Sequence, residues 1–186
     1  MQALDDVVRA GKARYIGAST MWAWQFAKAQ EVARAHGWTL FISMQNQISL
    51  LYREEDREMN PLCADQGVGL IPWSPIARGR LARPPAAKTA RTAQDAYARF
   101  LFAKTEDADA LVIAAVADLA AETGRKMAQV ALAWVRQKPG VAAPIIGVTK
   151  VAQLTEAIAG LDLVLTPDQM ARLEAPYIPH AALGQE

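Results

Sequence analysis

The chain has 186 residues, enough for one domain with a real core, and its 52% hydrophobic content is too high for a disordered chain. A net charge of +1 excludes a global field drawing the protein to nucleic acid or anionic membranes, so any anion site must be local. The single cysteine, Cys63, excludes an internal disulfide or a thiolate metal cluster, and neither His36 nor His180 sits in a metal-ligand motif.

The opening residues, "MQALDDVVRAGKAR", carry acids and lack an apolar signal core. No apolar run approaches the roughly 20 residues of a membrane span. A cytoplasmic protein with no membrane or nucleic-acid partner is expected. Residues 3–10 read as a short helix stopped at Gly11. Residues 14–18, "RYIGA", suit a buried strand. Residues 21–35 are helical, with Trp22, Phe26, Ala29 and Ala33 on one face. "LFISMQ", residues 40–45, is a second strand. Residues 54–65 read as one helix and residues 68–73 as the third strand. A longer insert follows, with a Pro-, Ala-, Lys- and Thr-rich loop over 82–93 and two helices over 109–123 and 126–138. In the second of these, Met127, Val130, Ala131, Trp134 and Val135 form a stripe that reads as core rather than as a ligand site. "APIIG", residues 143–147, is the fourth strand, with a helix over 151–160 behind it. Thr166 and Pro167 open a last helix as cap and first-turn residue.

Strands alternating with helices, and strands that are almost continuously apolar, imply an α/β fold with a parallel sheet covered by helices. In such folds the chemistry lies at the carboxyl ends of the strands. All four ends carry hydrogen-bonding side chains: Ser19-Thr20, Gln45-Asn46-Gln47, Trp73-Ser74-Pro75 and Gly147-Val148-Thr149-Lys150. Trp73 offers a flat face for a planar ring. Ser19, Gln45 and Asn46 suit a carboxamide. The Arg78-Gly79-Arg80 segment suits a pyrophosphate. Thr149 and Lys150 precede a helix start, a natural phosphate site. Together they describe a ligand with a planar head and several phosphates, such as a nicotinamide dinucleotide bearing a 2′-phosphate. The bland readings stay open beside this one: Trp73 as a core cap, Gln45 as a satisfied strand-end amide, Lys150 as a solvated cation.

The segments "GKARYIGAS", "SMQNQISLLYREEDREMNPLC", "GVGLIPWSPIARGRL" and "PIIGVTKVAQLTEAI" resemble the carboxyl-terminal half of an aldo/keto reductase, and "PYIPHAALG" resembles the tail of bacterial members. The resemblance runs from about Leu4 to the end. It implies a partial (β/α)₈ TIM barrel, with the four strands here resembling the fifth to eighth. Residues 1–186 would then form a single oxidoreductase domain whose amino-terminal half is missing.

The resemblance also implies an NADP(H) site. Ser19 and Gln45 would hold the carboxamide, and Trp73 would stack on the nicotinamide. Ser74, Pro75, Ile76, Ala77 and Gly79 would follow the pyrophosphate, and Arg91 would close over it. Gly147, Thr149 and Lys150 would take the 2′-phosphate and ribose, with Gln153 where many members have Arg. Glu156 would accept from the adenine amino group, while Ala157 replaces a frequent Asn. The family reduces aldehydes and ketones with NADPH, using an Asp, Tyr, Lys and His set from its first four strands. Nothing in this chain matches those segments. Tyr15, Tyr52, Tyr97 and Tyr177 lack the motif's surroundings, and His36 and His180 read as surface residues, so no catalytic residue and no metal ligand is assigned.

The chain alone is therefore expected to lack turnover. It would act on a small carbonyl substrate only when completed, by self-association or by a complementary half. The alternatives are a non-enzymatic nucleotide-binding or regulatory module, and a non-functional remnant.

Overall fold

The computed structural model describes residues 1–84, 101–103 and 105–182. Three parallel strands form the sheet in chain order: β1 (Ile16–Ser19), β2 (Phe41–Gln45) and β3 (Gly69–Leu70). Between them run α1 (Gln2–Arg9), which leads in, α2 (Ala23–His36) and α3 (Met59–Asp65). After β3 come α4 (Glu106–Thr123), α5 (Met127–Gln137), α6 (Val151–Ile158) and α7 (Pro167–Glu174). Short 3-10 turns occupy Glu54–Asp56 and Ala77–Ala82. The α/β class and the parallel sheet are as the sequence implies.

Strand geometry sorts the residues into two layers, because successive side chains alternate faces. Ala18, Met44 and Leu70 are register partners across the three strands, and all are buried. They pack with Phe26 of α2, Cys63 of α3 and the α4–α5 core. The opposite face is the row Gly17, Ser43 and Gly69, half-buried to exposed. Gly17 lies close to Ser43: a Cβ on it would displace the Ser43 hydroxyl and stand 3.2 Å from the Ser43 carbonyl oxygen.

Three elements differ from expectation, and proline accounts for each. The single helix expected over 54–65 is split into a 3-10 turn and α3. Pro61 lies in the first turn of α3, and its ring would clash with the Arg57 carbonyl if the helix ran through. The third strand is regular only over Gly69–Leu70: Ile71 and Trp73 still donate to the Met44 and Asn46 carbonyls at 2.9 Å, but Pro72 between them has no N–H for the fourth-strand side. The fourth strand is present only as bridges from Val141 to Leu70 and from Ile145 to Trp73. Leu70 donates to the Gly140 carbonyl and accepts from Ala142, both at 2.8 Å, as a parallel ladder requires. Pro144 cannot donate next, so the Pro72 carbonyl accepts from Ile145 instead, at 2.7 Å. Three steps along one segment then face four along the other, a bulge that ends regular pairing.

The helices dock through specific contacts. Phe26 and Ala33 of α2 are buried as expected, but Trp22 is exposed. The buried Gln30 amide does what the periodicity did not suggest. It donates to the Phe41 carbonyl and accepts from the Phe41 N–H, each at 3.0 Å, pinning α2 to the start of β2. The stripe on α5 is buried throughout. Thr166 caps α7 by accepting from the Gln169 N–H at 3.2 Å.

Candidate functional site

The strand ends come together in one row. Ser19 and Gln45 are register partners at the ends of β1 and β2. Gln47 bridges Trp73, and Trp73 bridges Ile145. The row from Ser19 to the segment before Gly147 therefore crosses three strand spacings, about 15 Å. Ser19 is exposed and its hydroxyl donates to the Gln45 carbonyl at 3.0 Å. The Gln45 side chain is half-buried. Trp73 is half-buried too, with its indole N–H donating to the Thr20 hydroxyl at 3.2 Å. That bond fixes the ring by its edge at the centre of the row. Thr20 thereby positions the indole ring.

The loop after Trp73 has an unusual backbone. Ser74, Ala77 and Arg78 have positive φ angles of 53°, 47° and 54°, and Gly79 has 94°. Left-handed conformation costs a residue with a Cβ roughly 1–2 kcal/mol, so such a run persists only where the surroundings dictate it. Here they do: Ala77 and Leu81 have no exposed surface, and Pro75 and Gly79 are buried. Hydrogen bonds from Ala77 to Ser74 and from Gly79 to Ile76, at 2.8 and 2.9 Å, close the turn. Right-handed residues followed by left-handed ones turn successive amides toward one side, an arrangement that holds anions.

The other end of the row is built loosely. Gly147, Thr149 and Lys150 are exposed, and no residue of α6 is buried. Gly147 meets no protein atom within 4 Å of where a Cβ would stand, so packing does not explain the glycine. Gln153 has a protein-internal role. Its carbonyl accepts from the backbone N–H groups of Thr149 and Lys150 at 2.8 and 3.2 Å, satisfying the helix start. The Glu156 carboxylate accepts from Lys126 at 2.6 Å. Both residues are thus occupied by the protein in this state. Arg91 lies outside the described residues. Arg80 faces away from any ligand role: its guanidinium bonds Glu106 at 2.8 Å and covers the Phe102 ring at 5.1 Å.

His36 is exposed, as read, but the surface reading of His180 is corrected by the tail folding back onto the body. The His180 side chain is only 7% exposed. Its backbone N–H donates to Glu54 at 2.7 Å, and its ring meets Tyr177 edge-on at 5.1 Å. Burial pushes the Tyr177 hydroxyl well above the usual phenol range. Burial likewise raises the Cys63 thiol to about 11, leaving it an inert core residue. Sequence reasoning had no signal for this cluster, because its members are more than 100 residues apart. Among the described residues no group of His, Cys, Asp or Glu is placed to hold a metal ion, and no helix is long and apolar enough to cross a membrane.

The carboxyl ends of the parallel strands thus converge on Trp73 and a turn of left-handed backbone, the end of the sheet at which α/β folds place their ligands. The profile of the aldo/keto reductase family matches residues 1–178, and the chain belongs to that family. It is 49% identical over 183 residues to the versiconal hemiacetal acetate reductase of Aspergillus parasiticus, a match covering 97% of this chain and 53% of that protein. It is 44% identical over 186 residues to an aldo-keto reductase of Fusarium vanettenii, covering 99% of this chain and 50% of that protein. An aldo-keto reductase of Metarhizium robertsii is 44% identical over 185 residues, with 99% of this chain and 50% of that protein covered. These relatives are fungal, rather than the bacterial proteins that the tail suggested. The chain spans about half the length of the curated relatives it matches.

Proposed function

We propose that the chain is the NADP(H)-binding half of an aldo/keto reductase, equivalent to the last four strands of a (β/α)₈ barrel. The observation that carries this reading is the row of strand ends. It sets Ser19, Gln45 and the edge-anchored Trp73 beside a left-handed turn whose strain the core over-determines. The residues fit the cofactor. Ser19 and Gln45 hold the carboxamide, and the Trp73 face holds the nicotinamide ring. Ser74 to Gly79 cradle the diphosphate, and Gly147, Thr149 and Lys150 take the 2′-phosphate. Gln153 and Glu156 join the grip only by exchanging their present partners. The bound cofactor supplies hydride for reduction of an aldehyde or ketone.

The general acid that such a reduction needs at the developing alkoxide is not assigned to any residue of this chain. Tyr177 is committed to Glu54, donating to it at 2.8 Å. Turnover then requires a complement, either a second copy or a complementary half. The uncovered Gly17–Ser43–Gly69 face and the exposed Ile42 are the surface such a complement covers.

Titration of intrinsic Trp fluorescence with NADPH tests the reading. Saturable quenching is expected, strongly reduced in Trp73→Ala, together with no NADPH oxidation on a broad aldehyde panel. Quenching unchanged by Trp73→Ala would refute the stacking role. Aldehyde-dependent oxidation abolished by Trp73→Ala would refute the need for a complement.

A further inference from the structure

The strained turn is fastened to a distant part of the chain. Arg80, inside the turn, stands with Nη1 3.6 Å from Asp109 Oδ2. Asp109 is 1% exposed, on the first turn of α4. Its carboxylate also accepts from the Thr105 hydroxyl at 2.9 Å. The third neighbour comes from the tail: His180 Nε2, buried and without a hydrogen bond among the described residues, lies 3.4 Å from Asp109 Oδ1, close enough to pair with it when the ring is protonated.

A buried carboxylate costs several kcal/mol unless it is paired and hydrogen-bonded. Burial pushes Asp109 upward, while Thr105, His180 and Arg80 oppose it. The tail is in turn locked at its other contacts. The Tyr177 hydroxyl accepts from the Arg53 N–H at 3.0 Å and donates to Glu54 at 2.8 Å. The Arg53 guanidinium lies against both the Tyr177 and Trp134 rings, at 5.3 and 5.7 Å.

We infer that His180 is a positioning residue: with Asp109 as the buried hub, it holds Arg80 and thereby the turn Ala77–Ala82 in the shape that receives the diphosphate. No part of His180 or Asp109 belongs to the strand-end row. Among the described contacts, the tail reaches the turn through Asp109 and Arg80. Without the hub, the left-handed run from Ala77 to Gly79 loses one of the restraints that offset its strain. The inference rests on the nucleotide reading given above, and its test separates the two.

The variant is His180→Ala, which removes a ring from the tail and leaves the core intact; Asp109→Asn serves as a second variant that keeps the shape of the hub. Two measurements are made on each. Hydrogen exchange of the backbone amides of 77–82, without nucleotide, should quicken in both variants. NADPH should bind about tenfold more weakly, the scale for residues that act on a site without touching its ligand. Adenosine 2′-monophosphate, which keeps the 2′-phosphate and carries no part of the diphosphate, should bind as in the parent.

Unchanged exchange in the turn overturns the clamp. Equal weakening of NADPH and the 2′-monophosphate overturns the positioning role, because general destabilisation would do that. Faster exchange with unaltered NADPH affinity overturns it as well. A parent chain that binds neither ligand sinks the nucleotide reading and this role together, while the exchange result still reports whether the clamp exists.

Discussion

The two ends of the proposed nucleotide site are held by different forces. The turn at Ala77–Ala82 is seated by burial: Ala77 and Leu81 are wholly enclosed, and Trp134 and Val135 of α5 are equally buried in the same core. The helix α6, which follows the other end, is seated by polar contacts at its last turn and just beyond. Lys126 pairs with Glu156, Arg125 pairs with Asp162, and the Gln129 amide donates to the Glu156 carbonyl. An apolar groove lined by Leu132, Arg136, Pro144, Ile158 and Leu161 separates α6 from α5. On the proposed reading a diphosphate would therefore meet a preformed backbone, whereas a 2′-phosphate would meet exposed side chains that must be ordered on binding.

The largest expected effect breaks the enclosed side. Trp134 has no exposed surface, and its indole N–H donates to Glu174 at 2.8 Å. Trp134→Ala should lose about 3–5 kcal/mol of stability in urea unfolding. Leu154→Ala, on the 42% exposed face of α6, should stay within about 0.5 kcal/mol. Similar losses at the two positions would erase the contrast.

Next in size is the tail. Tyr177→Phe removes a hydroxyl that both donates to Glu54 and accepts from Arg53, so a loss of about 1.5–3 kcal/mol is expected. Its pH dependence has a definite sign. Burial acts to raise Glu54, but the His180 amide, the Tyr177 hydroxyl and Arg57 outweigh it and hold the carboxyl below its ordinary value. A depressed folded value gives stability that is present above the unfolded value and lost as pH falls through the folded one. The gap between the parent and Tyr177→Phe unfolding midpoints should thus be full at neutral pH and narrow in acid. A gap that widens in acid would mean that Glu54 is not the partner that matters.

The smallest effect sharpens the comparison at the exposed end. Lys150→Ala should lower the preference for NADPH over NADH by about tenfold or less, since an exposed cation contributes at most about 1 kcal/mol. NADH affinity should hardly change. The difference should shrink further at high salt, which screens an exposed charge but not the enclosed turn. Competition titrations at low and high salt read both. A salt-independent preference would place the phosphate elsewhere.

Much of this architecture was legible along the chain. The α/β alternation, the buried stripe of α5, the Thr166 cap and the strand-end positions follow from local patterns, because helix and strand periods and cap chemistry act over a few residues. The motif "GLIPWSPIARGRL" singled out the segment whose backbone turns left-handed. Tertiary structure decided the rest. It placed Pro72 and Pro144 side by side, where two missing donors reduce a fourth strand to bridges. It gave Ala77 and Arg78 left-handed backbones that neither residue prefers, because enclosure by the core leaves the turn no alternative. It also brought Tyr177 and His180 of the tail onto Glu54 and Asp109. Pairings between residues so far apart depend on how the elements pack, and a one-dimensional pattern carries no record of that.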